Sequence, residues 1–309
     1  MLDYQGYPVE SKKQIYAQAF GIYALAEYAR LTDEPSPIDR AITLFELIEQ
    51  HSFDPDRGGY LEAFGPSWEA MDDLRLSEKD ANEAKTMNTH LHILEAYSNL
   101  YRVYKNEKLA AALAGLISLF LDRFIDPNNY HLHLFFDEDW HLKSEEVSYG
   151  HDIEAAWLLV EAAEVLGEKA LIDQCRTIAV QIARVTIAEG LDHDGSLFNE
   201  GRGKTIIDTD KHWWPQAEAI IGFYNAFQIS GETHFLVQAQ RCWQFIDRYL
   251  KDSKGGEWHW MVDQQGSPIL DREDKAGPWK APYHNGRMCL ELLDRTSYNQ
   301  SPAHNPQSQ

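Results

Sequence analysis

Apolar residues recur at three- and four-residue spacing through residues 12–31, 36–51, 84–104, 107–124, 148–166, 169–189, 213–229, 233–251 and 282–295, and this period predicts nine helices. Brief breaks at Asp33–Pro37, Gly167 and Gly231 separate the two members of a pair, while longer connections follow every second helix. Those connections resemble one another. Asp54-Pro-Asp-Arg-Gly-Gly-Tyr60, Asp126-Pro-Asn-Asn-Tyr130, Asp192-His-Asp-Gly195 and Lys254-Gly-Gly-Glu-Trp258 each open on turn residues and run into a few aromatic or β-branched positions, the pattern of a short β-hairpin. A helix pair plus a hairpin every 60–70 residues predicts an all-α toroid of alternating inner and outer helices, in one domain over 1–296 followed by a polar tail, 297–309. The N-terminal stretch Leu2-Asp-Tyr-Gln-Gly6-Tyr-Pro8 parallels Val262-Asp-Gln-Gln-Gly266-Ser-Pro268, the second arm of the last hairpin. The chain is therefore expected to begin halfway through a hairpin, with about nine of the twelve helices of a full ring. The apolar faces of 12–31 and 282–295 are then expected to lie exposed.

Composition narrows the function. With 28 basic against 49 acidic residues the formal net charge is −21, which disfavours nucleic acid or anionic lipid as a partner. No run of apolar residues reaches membrane-spanning length and no secretory leader opens the chain, so the expectation is a cytoplasmic protein. Cys175, Cys242 and Cys289 are scattered and odd in number, and support neither a disulfide framework nor a metal cluster. Nine Trp, 15 Tyr and 13 Phe suit a sugar ligand, and suit a large core equally well. Glycine-rich phosphate loops, a nucleophile elbow and the dinucleotide fingerprint are absent from the sequence.

Polar and aromatic residues recur at the start of each helix that follows a hairpin: Tyr16, Asn88 with His92, His151 with Glu154, Trp213-Trp214, and Tyr283-His284-Asn285. Positions 16, 88, 151, 214 and 284 are separated by 72, 63, 63 and 70 residues. In a toroid these starts gather at one end of the ring, where function collects. Histidine exchanges protons near neutrality, so His92, His151 and His284 are candidates for acid–base chemistry, with Glu154 placed one turn after His151 to orient its ring or hold a substrate hydroxyl. Trp214 and Trp279 are candidate stacking platforms. A bound metal is not expected: His90 and His92 face different directions, and His131 with His133 lacks a completing carboxylate.

These stretches resemble the N-acylglucosamine 2-epimerase superfamily, and within it the cellobiose 2-epimerases: Lys85-Thr-Met-Asn-Thr-His-Leu-His92, Ser148-Tyr-Gly-His-Asp-Ile-Glu154, Asp208-Thr-Asp-Lys-His-Trp-Trp-Pro-Gln-Ala-Glu218 and Asp274-Lys-Ala-Gly-Pro-Trp-Lys-Ala-Pro-Tyr-His284. The resemblance implies an (α/α)6 barrel and cofactor-independent, reversible epimerisation at C2 of the reducing-end glucose of β-1,4-linked disaccharides such as cellobiose and lactose. It implies His151 and His284 as the acid–base pair, His92 as the residue assisting ring opening, and Tyr16, Asp80, Asn88, Glu154, Trp214 and Trp279 as substrate contacts. Ala281 stands where the family usually has Cys. The family also carries a further N-terminal portion with three helices and an active-site arginine, which has no counterpart in this chain.

Three other readings stay open from the residues. A monosaccharide 2-epimerase or aldose–ketose isomerase would use the same groups. An inverting glycosidase would need two carboxylates, for which Asp80, Asp152 and Glu154 are available. A barrel without its N-terminal portion could be inactive. The expected partner is a small disaccharide, and the expected state a monomer or weak homo-oligomer.

Overall fold

The computed structural model describes residues 3–32 and 34–298. Its α-helices are α1 (Ile15–Thr32), α2 (Pro35–His51), α3 (Met87–Val103), α4 (Glu107–Leu119), α5 (Tyr149–Leu166), α6 (Lys169–Val185), α7 (Trp213–Ser230), α8 (Thr233–Phe245) and α9 (His284–Tyr298). One falls in each stretch marked by the apolar period. The stretches after α4, α6 and α8 continue into π-helical turns, Phe120–Phe124, Thr186–Gly190 and Ile246–Leu250, which the period does not distinguish from α-helix. The polar tail lies, from residue 299 on, outside the described residues, as does Leu2.

Two compact units divide the chain. Met1–Glu146 with Leu158–Cys175 forms one, and Val147–Trp157 with Arg176–Gln309 the other. In the first, α1 packs on α2 and α3, and α3 on α4; in the second, α7 packs on α8 and α9. The two kinds of helix differ as their sequences require. α2 buries only Pro37, Ala41, Phe45 and Ile48, and α8 only Phe235, Ala239, Cys242 and Phe245, one stripe each. α3 is buried all round from Thr89 to Leu100, and α7 from Pro215 to Phe223. Polar residues on such helices cannot reach water, so each must find a protein partner. Leu31 on α1 is 84% exposed, and Leu290 and Leu293 on α9 are 70% and 64%.

The connections differ from simple hairpins. Their first arms close through single bridges, Phe53↔Tyr60, Ile125↔Leu132, Leu191↔Leu197 and Lys251↔Trp258. Later residues pair instead with the strand that enters the preceding helix pair. β1 (Lys13–Gln14) pairs with β2 (Ala63–Phe64), β3 (Lys85–Thr86) with β4 (Phe135–Phe136), and β8 (Lys211–His212) with β9 (Met261–Val262), all antiparallel. A two-residue strand has too few ladder bonds to stand alone, and this pairing clasps the two ends of a helix pair together. The remaining strands, β5 (Glu146–Ser148), β6 (Glu200–Arg202) and β7 (Thr205–Asp208), form a three-stranded sheet. The sequence parallel between the N-terminus and the last connection is also a structural one. Asp3 N–H donates to Tyr7 O (2.8 Å) and Gly6 N–H to Asp3 O (3.0 Å), as Asp263 N–H donates to Ser267 O and Gly266 N–H to Asp263 O (both 2.9 Å). Gly6 and Gly266 hold the same left-handed φ, 87° and 82°.

Buried lysines fasten the clasps, a feature the sequence analysis did not single out. Lys85, 0% exposed, donates to Asp54 Oδ2 and Glu138 O, both at 2.8 Å, and lies 4.9 Å from the Trp140 ring centre. Lys211, also 0% exposed, donates to Asp192 Oδ2 (2.9 Å) over Phe198. Lys280 donates to Trp258 O and Lys275 O (2.8 Å each) and to Glu257 Oε1 (3.2 Å). Each ammonium therefore sits between a turn and the entry to α3, α7 or α9.

Candidate active site

The second unit brings His151, Glu154, Trp214 and His284 together. β5 leads directly into α5, which sets His151 and Glu154 in its first two turns. At the start of α7, the Trp214 ring centre lies 4.7 Å from that of His151 and 5.4 Å from that of His284 on α9. Gly150 is what admits the indole: a Cβ there would lie 2.5 Å from Trp214 Cη2 and 3.0 Å from Pro215 Cβ. Pro215 is the third residue of α7, within the turn whose N–H groups lack helical partners. Pro282 precedes α9.

The two imidazoles have different supports. His151 Nδ1 is 2.8 Å from Ser148 Oγ. His284 Nδ1 is 2.7 Å from Glu218 Oε1, and Trp213 packs edge-on against its ring at 5.2 Å. Beneath His284 lies a buried charge cluster. The Arg287 guanidinium donates to Glu154 Oε1 (2.7 Å) and Glu218 Oε1 (2.8 Å), and Trp157 Nε1–H donates to Glu218 Oε2 (2.9 Å). Arg287 lies over the rings of Trp157 (4.8 Å) and Tyr283 (4.3 Å), and its guanidinium also bonds the Tyr283 hydroxyl. Both carboxylates are 0% exposed. Burial alone would raise the Glu218 carboxyl, but the Arg287 charge and the hydrogen bond from His284 outweigh it and hold the group well below its ordinary value. Glu154, expected to orient His151 or hold a substrate hydroxyl, accepts from Arg287, and Nδ1 of His151 lies against Ser148 Oγ. Glu154, Glu218 and His284 have the donor set for a cation, but a guanidinium already bridges both carboxylates there.

The first unit holds the other candidates. On α3, His92 Nδ1 is 3.1 Å from Glu95 Oε2, and its ring meets Tyr16 edge-on at 4.9 Å and Phe20 at 4.8 Å. Asn88 is the second residue of α3. Asp80 lies in the loop before β3, where its Oδ2 accepts from the backbone and hydroxyl of Ser77 (2.8 Å each). Burial pushes neighbouring Glu62 up to about 7 against the hydroxyl bonds it accepts from Thr86 and Thr89, with the Asp80 charge adding to the rise. His90 is structural: Tyr60 N–H donates to its Nε2 (2.8 Å), so its Nδ1–H donates to Thr86 O (2.7 Å). In the second unit, Trp279 is 51% exposed, on the loop before α9.

Ser148, Glu218, Arg287 and Trp157 were not among the sequence candidates. One signal was available. His92/Glu95, His151/Glu154 and His284/Arg287 repeat the same three-residue spacing, and Glu218 interrupts an otherwise apolar stretch of α7.

The solved cellobiose 2-epimerase of Bacillus thermoamylovorans superposes on this chain with a TM-score of 0.90 at 41% identity, over 96% of this chain and 75% of that one, which shows the (α/α)6-barrel class of fold. The sequence matches the N-acylglucosamine 2-epimerase (GlcNAc 2-epimerase) family over residues 1–286, and the chain belongs to that family. It is 52% identical to the cellobiose 2-epimerase of Bacteroides fragilis over 293 residues, 94% of this chain and 74% of the relative. It is 41% identical to that of Ruminococcus albus, over 96% of this chain and 75% of the relative. The chain thus spans about three quarters of the length of these relatives.

Proposed function

We propose that this chain is a carbohydrate epimerase that interconverts glucose and mannose at the reducing end of β-1,4-linked disaccharides such as cellobiose and lactose. The observation that carries the reading is the pair of imidazoles, His151 and His284, in contact with one indole and each held through Nδ1 by a different partner. Epimerisation needs an open-chain aldehyde. A base then takes the C2 proton, the C–H electron pair forms the C1=C2 bond, and O1 becomes the oxyanion of a cis-enediolate. Return of a proton to the opposite face of C2 restores the aldehyde. Two histidines supply both transfers, and neither requires a cofactor.

The supports favour a division of labour. Arg287, Glu154 and Glu218 together carry one net negative charge, which protonation of His284 would neutralise, so His284 is suited to hold a proton and deliver it. His151 has a neutral partner in Ser148 and is suited to accept the C2 proton. In the reverse direction the roles exchange. His92 takes the ring-opening role, and Tyr16, Asp80, Asn88, Glu154, Trp214 and Trp279 the substrate contacts, as the resemblance implies.

Incubation with cellobiose in D2O tests this: the expected product is glucosyl-mannose carrying deuterium at C2. Product without deuterium would sink the enediolate route, free glucose would reassign the chain as a glycosidase, and a ketose as an isomerase.

A further inference from the structure

Ser148 stands at the last position of β5, immediately before α5, and is 6% exposed. Thr86 occupies the same place before α3. There the hydroxyl works for the helix, its oxygen accepting from Thr89 N–H at 3.1 Å, and for the strand, its proton going to Glu62 Oε2 at 2.7 Å. Before α5 the hydroxyl oxygen lies 2.8 Å from an imidazole nitrogen. A serine three residues before a histidine, at a helix entry, reads as a cap in sequence; here it supports the ring of a proposed acid–base residue.

The consequence for that ring is chemical. A neutral imidazole carries one proton, and whichever nitrogen holds it cannot act as a base. With Nδ1 fixed against Ser148, proton exchange with substrate falls to Nε2, and Nε2 must carry the lone pair when the proton of C2 is taken. We propose that Ser148 is a positioning residue for His151, accepting a hydrogen bond from Nδ1–H so that the basic Nε2 is presented to the substrate. His284 is held in the same sense by the Glu218 carboxylate, so the pair uses one charged and one neutral support. A hydroxyl stabilises an imidazolium less than a carboxylate does. The proposal rests on the epimerase reading for its catalytic consequence, while the tautomer it assigns can be observed without turnover.

Long-range 1H–15N correlation spectra of the 15N-histidine-labelled full chain report the tautomer, with the His151 signals identified by their loss in His151→Gln. The expected result is Nδ1–H with an unprotonated Nε2 at a pH where the ring is neutral. Ser148→Ala should turn this into a mixture of tautomers and lower kcat roughly 10- to 100-fold, as misorientation of a reacting group does, with KM changed less than about 2-fold. Ser148→Thr, which keeps the hydroxyl, should recover most of the lost kcat and the single tautomer. Nε2–H in the unsubstituted protein would overturn the proposal whatever the variants do, and so would a Ser148→Ala chain with unaltered kcat and tautomer. If the unsubstituted chain does not epimerise cellobiose, the function reading fails, and the spectra alone decide whether Ser148 sets the tautomer.

Discussion

Glu218 occupies a place in α7 where an apolar residue would pack more cheaply, and its bonds say what it does there: it holds His284 and shares Arg287 with Glu154. Glu218→Gln keeps the shape but loses the charge that favours an imidazolium. The expected outcome is a fall in kcat of about 10²-fold with little change in KM, measured from initial rates of epimer formation. Glu62 offers a separate test, on stability. Its folded value is raised to about 7 from 4.5, so the folded state binds the proton more tightly than the unfolded state. The group therefore supports the fold fully below about pH 4.5, and that contribution is lost as pH rises through about 7. Glu62→Gln removes the titration. Its stability relative to the parent should increase between pH 5 and pH 8 by a few kcal/mol, read from urea unfolding at the two values; a constant difference would show that Glu62 does not titrate in that window. At this scale the placement of His151 and His284 in the first turns of α5 and α9 was legible, because the repeat marks those helix starts. Ser148, Glu218 and Arg287 were not, because a serine at a helix entry, or a charged residue on a helix, has the sequence of a cap or a solvated face, and only burial separates the cases.

The helices were legible because a three-to-four apolar period needs no knowledge of partners, and the boundaries of α2, α5 and α7 fall within a residue or two of the expected ones. The clasps were not, since the partner of Lys13–Gln14 is Ala63–Phe64, across a whole helix pair, and nothing local to either stretch encodes that distance. Nor were the lysines, which composition counts as surface charge. Lys85→Met tests their weight. It removes the ammonium from the nearly buried Asp54 carboxylate, which keeps Arg57 at 3.8 Å and two backbone N–H donors, and should cost about 3 kcal/mol in denaturant unfolding, whereas the double substitution with Asp54→Asn should recover part of it. A loss for Lys85→Met below about 1 kcal/mol would reduce the clasp to an ordinary surface ion pair. Gly150→Ala separates local helix energetics from the site. Alanine favours a helix over glycine by roughly 1 kcal/mol, but its methyl would collide with the Trp214 ring. The expected result is lost epimerase activity with a displaced Trp214 fluorescence maximum; unaltered rates would show that the indole can move without consequence.

For the molecule as a whole, the path of the chain through the two compact units bears on how they unfold. The chain passes from one unit to the other in β5, at Glu146–Val147, inside α5, at Trp157–Leu158, and again inside α6, at Cys175–Arg176. A helix is cooperative along its length, because each turn supplies hydrogen-bond partners to the next and ending it in the middle exposes unpaired backbone groups. Melting either unit alone would therefore require breaking both helices at interior turns. We expect one thermal transition, with the calorimetric enthalpy equal to the van't Hoff enthalpy. Lys85→Met, which acts in the first unit, should then lower the temperature at which activity is lost and the temperature of the whole calorimetric peak by the same amount. Two resolved peaks, or a peak that splits in the variant so that only one component moves, would show two independently folding units. The exposed apolar residues Leu31, Leu290 and Leu293 do not oppose this outcome. Their exposure lowers the temperature of the transition, by leaving burial energy unused, without dividing it into two.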